Sequence, residues 1–101
     1  MARPAIHPGE ILKEELAEAN INAAELARQL KVPHNRFAQI IQGRRSITGD
    51  TALRLAHWFG TSAQFWLNLQ AQYDLRNAQE ALGDDLASLP MRPSTDRPTA
   101  R

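Results

Sequence analysis

Apolar residues recur along this chain at helical spacing, and proline, glycine or asparagine interrupts them at intervals. The first such stretch, 8–19, opens on Pro8 with acidic residues behind it and carries Ile11, Leu12 and Leu16 on roughly one face, as an amphipathic helix does. Asn20 ends it. Asn22 with Glu25 three residues on has the form of a capping box, and Ala23, Leu26, Ala27 and Leu30 supply the buried stripe of a short second helix over 23–30. Val32-Pro33 breaks the pattern, because a residue before proline is driven out of helical conformation while proline itself suits a helix start. A third helix is expected over 33–42, with Phe37, Ile40 and Ile41 inward and His34, Asn35, Arg36, Gln39 and Gln42 on the other face.

Gly43 is a helix stop, and Arg44-Arg45-Ser46-Ile47 leads to a fourth helix capped by Thr48 or Asp50, with Ala52, Leu55, Ala56 and Phe59 inward. Gly60 closes that helix. Thr61 or Ser62 caps a longer fifth one, marked by Phe65, Trp66, Leu69 and Tyr73 and running towards Ala81 or Leu82. From Gly83 onward Pro90, Pro93 and Pro98 stand among polar residues, with too few apolar ones to offset the entropy of ordering the chain. The pattern predicts an all-α, five-helix domain over 1–82 and a flexible polar tail over 83–101, in which Leu86, Leu89 and Met91 are candidates for docking on a partner.

A folded part of that size buries a modest fraction of its surface, so a core shared between two copies is the expected route to adequate stability. The 101 residues include no cysteine, which removes disulfides, thiolate zinc sites and cysteine nucleophiles and fits a reducing cytoplasm. No apolar run approaches membrane-spanning length and the N-terminus lacks the pattern of a secretory signal, so a cytoplasmic protein is expected. His7, His34 and His57 are scattered, no histidine pair has metal-ligand spacing, and no nucleotide-binding loop appears. The expectation is a non-enzyme without cofactor or metal.

The net charge of +1 says little, but its distribution does. Glu10, Glu14, Glu15, Glu18 and Glu25 stand against Lys13 alone in the first part, whereas Arg28, Lys31, Arg36, Arg44, Arg45 and Arg54 stand against Asp50 alone in the next. Two short helices joined by a tight turn, the second presenting polar side chains, form the geometry with which a helix enters the major groove. Asn35 and Gln39 have the chemistry to pair bidentately with adenine, Arg36 with guanine or a phosphate, and His34 to donate to a base or a phosphate. Arg28 and Lys31 before that helix, and Arg44 and Arg45 after it, are placed to grip the DNA backbone.

The stretch ELARQLKVPHNRFAQIIQGRRSITGDTALRLAHWFGTSAQFWLNLQAQYDL, with IHPGEILKEEL ahead of it, resembles the phage-repressor-type helix-turn-helix of the HigA antitoxins over about residues 6–76. The resemblance implies a dimeric antitoxin that neutralises a HigB-type toxin, an RNase of translated messages, and represses its own operon at an inverted repeat. It implies recognition-helix positions at His34, Asn35, Arg36 and Gln39, phosphate contacts from Arg44, Arg45 and Thr48, and a dimer interface formed with the fifth helix, where Phe65, Trp66, Leu69 and Tyr73 are the candidates. For the cluster Trp58, Phe59, Phe65 and Trp66 a place in the core is the first reading, and a contact across a two-fold axis the sharper one. Glu10, Glu14, Glu15 and Glu18 are either a solvated face or the surface that meets a basic RNase. One departure is Lys31, at the turn position where such motifs usually have a left-handed glycine; a residue with a Cβ there costs roughly 1 kcal/mol. A stand-alone regulator without a toxin is the alternative reading, and a purely protein-binding module a third.

Overall fold

Three of the helices end in the same way, and their ends set the path of the chain. In the computed structural model, which describes residues 5–93, α1 (Pro8–Ala19), α2 (Ala23–Leu30) and α3 (Arg36–Ile41) each close with a paired Schellman turn. Asn20, Lys31 and Gly43 take the left-handed position, with φ of 58°, 59° and 78°. At the second of these the Lys31 N–H donates to the Arg28 carbonyl (3.3 Å) and the Val32 N–H to the Ala27 carbonyl (3.1 Å). The helix-turn-helix geometry is therefore kept with lysine in the strained position. Helices α4 (Gly49–Phe59), α5 (Ala63–Leu82) and α6 (Asp84–Ser88) complete the order, and there is no strand among the described residues.

Local chemistry explains most boundaries. The His7 imidazole caps α1, its Nδ1 accepting from the Gly9 N–H (2.9 Å). Asn22 caps α2 by accepting from the Glu25 N–H (2.8 Å), but the Glu25 carboxylate turns away to Arg28 and Gln29, so half of the expected capping box forms. Ser62 rather than Thr61 caps α5, accepting from the Phe65 N–H (3.0 Å); Thr61 Oγ1 instead accepts from Trp66 Nε1 (3.1 Å). Thr48 is the N-cap of α4.

Two elements differ from the sequence pattern. The third helix begins at Arg36, not Pro33: residues 33–36 form a turn in which the Arg36 N–H donates to the Pro33 carbonyl (3.0 Å). The chain after Gly83 forms the short α6 before Leu89, with Asp84 and Asp85 in its first turn, where carboxylates favour a helix start. The remainder of the expected tail, 94–101 with Pro98, lies outside the described residues.

Leu12 and Leu16 of α1, Leu26, Ala27 and Leu30 of α2, Phe37 and Ile40 of α3, Ile47, Ala52 and Leu55 around α4, and Trp66 of α5 make one core. Trp66 is fully buried in it, next to Phe59 and Phe65 (centroids 5.7 and 5.1 Å). Its ring is thus spent inside the core of this chain, which takes it out of the expected dimer interface. Helix α1 lies against α3 so closely that a Cβ on Gly9 would sit 2.0 Å from the Ile40 carbonyl oxygen. Beyond Gln70, α5 leaves the core, and with α6 it lengthens the molecule to 56 × 28 × 22 Å.

Candidate nucleic-acid interface

The second helix of the pair, α3, is gripped from several sides. Gly9 admits α1 against its backbone at Ile40 and Ile41. Arg36 straps it to α4: Nη1 donates to Thr51 Oγ1 (3.3 Å) and lies 3.8 Å from Asp50 Oδ2. Asp50 also accepts from Arg54 Nε (3.1 Å), and Arg54 Nη1 donates to the Leu30 carbonyl at the end of α2 (2.5 Å). One carboxylate in the first turn of α4 thereby joins the arginines that fix both helices of the motif. Trp58 Nε1 donates to Gln29 Oε1 (2.9 Å) and holds α2 to α4 a second time.

Arg36 is accordingly not on the outward face where its place in the sequence put it. Its side chain is 19% exposed and its Nε is buried, drawn in by Asp50 and Thr51. His34, Asn35 and Gln42 are exposed and Gln39 is half-buried. Asn35 stands at the N-cap position of α3 without a side-chain capping bond, so its amide is not used by the helix it starts. Gln39 Oε1 accepts from Arg45 Nε (3.0 Å).

The basic residues fall into separate groups. Arg28 and His34 border one cleft together with Asn22, Ala24, Glu25 and Val32. Arg28 is also the ion-pair partner of Glu25, whose carboxyl is pulled down to about 2 by the hydrogen bonds from Arg28 and then Gln29; Arg28 is pushed up by the same contact. Lys31 borders a different cleft, with Asp50, Leu53, Arg54 and His57. Arg44, Arg45 and Thr48 are exposed in and after the connection that leaves α3. That connection is pinned from behind by Gln70 of α5, whose Oε1 accepts from the Ile47 N–H (2.8 Å) while Nε2 donates to Asp74 (3.0 Å).

Several supports escaped the sequence reading. A polar Gln70 in line with Trp66 and Tyr73 was a signal, since a polar residue on a buried stripe needs a partner. The reach of Arg54 to Leu30 carried no such signal. Glu10, Glu14, Glu15 and Glu18 are all exposed on α1. Of the expected interface residues on α5, Phe65 is exposed and Leu69 and Tyr73 are half-buried, the latter two lining an open cleft with Ile6, Ile11 and Leu75. No helix of the described residues is long and apolar enough to cross a membrane.

Residues 12–66 match the helix-turn-helix family. The chain is 51% identical over 78 residues to virulence-associated protein I of Dichelobacter nodosus, a match covering 76% of this chain and 72% of that protein. It is similar in structure to an addiction-module antidote protein of the HigA family from Coxiella burnetii (TM-score 0.86, 47% identity, 90% of this chain and all of the other). It also resembles the Pseudomonas aeruginosa antitoxin HigA solved with the higBA promoter (TM-score 0.82, 44% identity, 88% and 99% covered).

Proposed function

The chain belongs to the helix-turn-helix family and, within it, to the HigA antitoxins, and on that premise we propose that it binds the promoter of its own operon as a dimer, represses it, and neutralises a HigB-type toxin. The observation that carries the DNA half is the state of α3: it is fixed by Gly9, Arg36 and the Asp50–Arg54 bridge, yet it carries an exposed Asn35 whose side chain makes no capping bond and a half-buried Gln39 engaged through Oε1 by Arg45. A rigid helix with presentable amides is what reading base edges requires.

In this reading Asn35 and Gln39 read bases, and His34, Arg28, Arg44, Arg45 and Thr48 hold phosphates. Arg36 acts within the protein, setting the aim of α3. The exposed carboxylates of α1 meet the basic toxin, and the cleft along α5 receives a second copy. The protein works by binding, not catalysis.

The test is to co-express the tagged chain with the gene beside its own, recover what binds, and assay that product on the upstream promoter DNA. Recovery of the neighbour with a shift of the promoter is expected. A shift without a bound neighbour removes the antitoxin half and leaves a stand-alone regulator; the absence of both removes the proposal.

A further inference from the structure

The Schellman turn that ends α3 does more than stop a helix. The Gly43 N–H donates to the Ile40 carbonyl (3.0 Å) and the Arg44 N–H to the Gln39 carbonyl (2.8 Å), which folds the chain back over the helix's last turn. Arg45 is thereby delivered beside Gln39, one turn back along α3, and donates its Nε–H to Gln39 Oε1 at 3.0 Å.

A glutamine amide has two ends of nearly equal shape and opposite polarity, one accepting and one donating. Free in solvent it rotates between them, and in the major groove the two orientations favour different base edges. Arginine has donors and no acceptor, so it can hold the oxygen end alone. With Oε1 turned to Arg45, the Nε2 hydrogens and the second lone pair of Oε1 are left for the groove. The orientation is set before DNA arrives.

We infer that Arg45 is a positioning residue for base recognition: by holding Oε1 of Gln39 it determines which base pair Gln39 accepts, in addition to any phosphate contact made by its remaining N–H groups. This rests on the DNA-binding reading above. A purely electrostatic Arg45 contributes equally on every sequence. A positioning Arg45, whatever its phosphate contact adds on all sequences alike, also contributes discrimination at one base pair, and that only when Gln39 is present.

The experiment measures affinity of the wild type, Gln39→Ala, Arg45→Ala and the double variant for promoter DNA in which each base pair of a half-site is replaced in turn. The base pair read by Gln39 is the one at which Gln39→Ala loses discrimination, from about tenfold to about twofold. Arg45→Ala is expected to lose discrimination at that same pair to a similar degree and to keep it elsewhere, and the double variant to lose no more than either alone. If Arg45→Ala weakens all sequences by one factor and leaves discrimination at that pair intact, or if the two losses add, the inference is overturned. A wild type that prefers no promoter sequence overturns the DNA-binding reading itself, a different result from selective binding that is indifferent to Arg45.

Discussion

Single side chains in this protein carry loads that their positions along the chain do not announce, and His7 is the clearest case. It caps α1 through Nδ1, packs edge-on against Tyr73 of α5 (centroids 4.7 Å), and is buried. Burial holds its pKa below the ordinary 6.5, against the opposing pull of Asp74 and Glu10. A base whose folded pKa is depressed costs nothing while both states are neutral; once pH falls below 6.5 the unfolded chain takes up a proton that the folded one resists. Stability should therefore be flat above about pH 6.5 and fall on acidification until the depressed folded pKa is passed. Urea melts at pH 7.5 and 5.5 check this against His7→Asn, which keeps an N-cap acceptor but does not titrate. The wild type should lose more stability than the variant, and equal losses would show that His7 is not the acid-sensitive group. Glu25, held near 2, titrates below this window and is common to both proteins. The exposure of His34, Asn35 and Gln42 was legible from their type and spacing, whereas the inward turn of Arg36 was not, because the Asp50 and Thr51 that attract it belong to another helix.

At the scale of elements, α1, α2, α4 and α5 followed from neighbours within one turn, which is why pattern alone could place them, whereas the start of α3 and the whole of α6 did not follow. What pattern could not supply was how close two helices come. On helix propensity, Gly9→Ala should stabilise α1 by about 1 kcal/mol. In the fold the added methyl meets the Ile40 carbonyl oxygen at 2.0 Å and the Ile41 Cα at 2.8 Å. These are backbone atoms of the recognition helix and cannot rotate aside. Gly9→Ala is expected to cost about 1–3 kcal/mol as an overpacked contact, lowering Tm by roughly 5–20 °C, and to weaken promoter binding further by moving α3. Gly49→Ala, in the first turn of α4 with open space around its Cβ position, is the control and should leave stability unchanged or raise it. Thermal melts of the two variants decide the matter: a Gly9→Ala protein as stable as the control would mean that α1 and α3 do not touch in solution as described.

At the scale of the whole molecule, the far half of α5 and α6 stand out from the core of the described residues. Helix α5 is 20 residues long, about 30 Å, and past Gln70 its side chains are exposed except for Tyr73 and Arg76, which are half-buried. Leu75 is 61% exposed and Leu82, Leu86, Leu89 and Met91 are also exposed, while Ile6, Ile11, Leu69 and Tyr73 border the cleft beside Leu75. So much apolar surface on so small a protein is a burden unless covered, and a two-fold contact covers it twice with one set of residues. The same contact would set the separation of two α3 helices, which must be about 34 Å, one turn of DNA, to read both halves of an inverted repeat. Leu75→Asp tests the arrangement without entering the core. Light scattering should give a dimer for the wild type and a shift towards monomer for the variant. Since two half-sites bind together only when linked, promoter affinity should fall by roughly 100-fold or more, with each monomer still folded by circular dichroism. A variant that stays dimeric at the same concentration would place the two-fold axis elsewhere. A variant that becomes monomeric yet keeps full affinity would mean that one recognition helix, rather than a pair, accounts for binding.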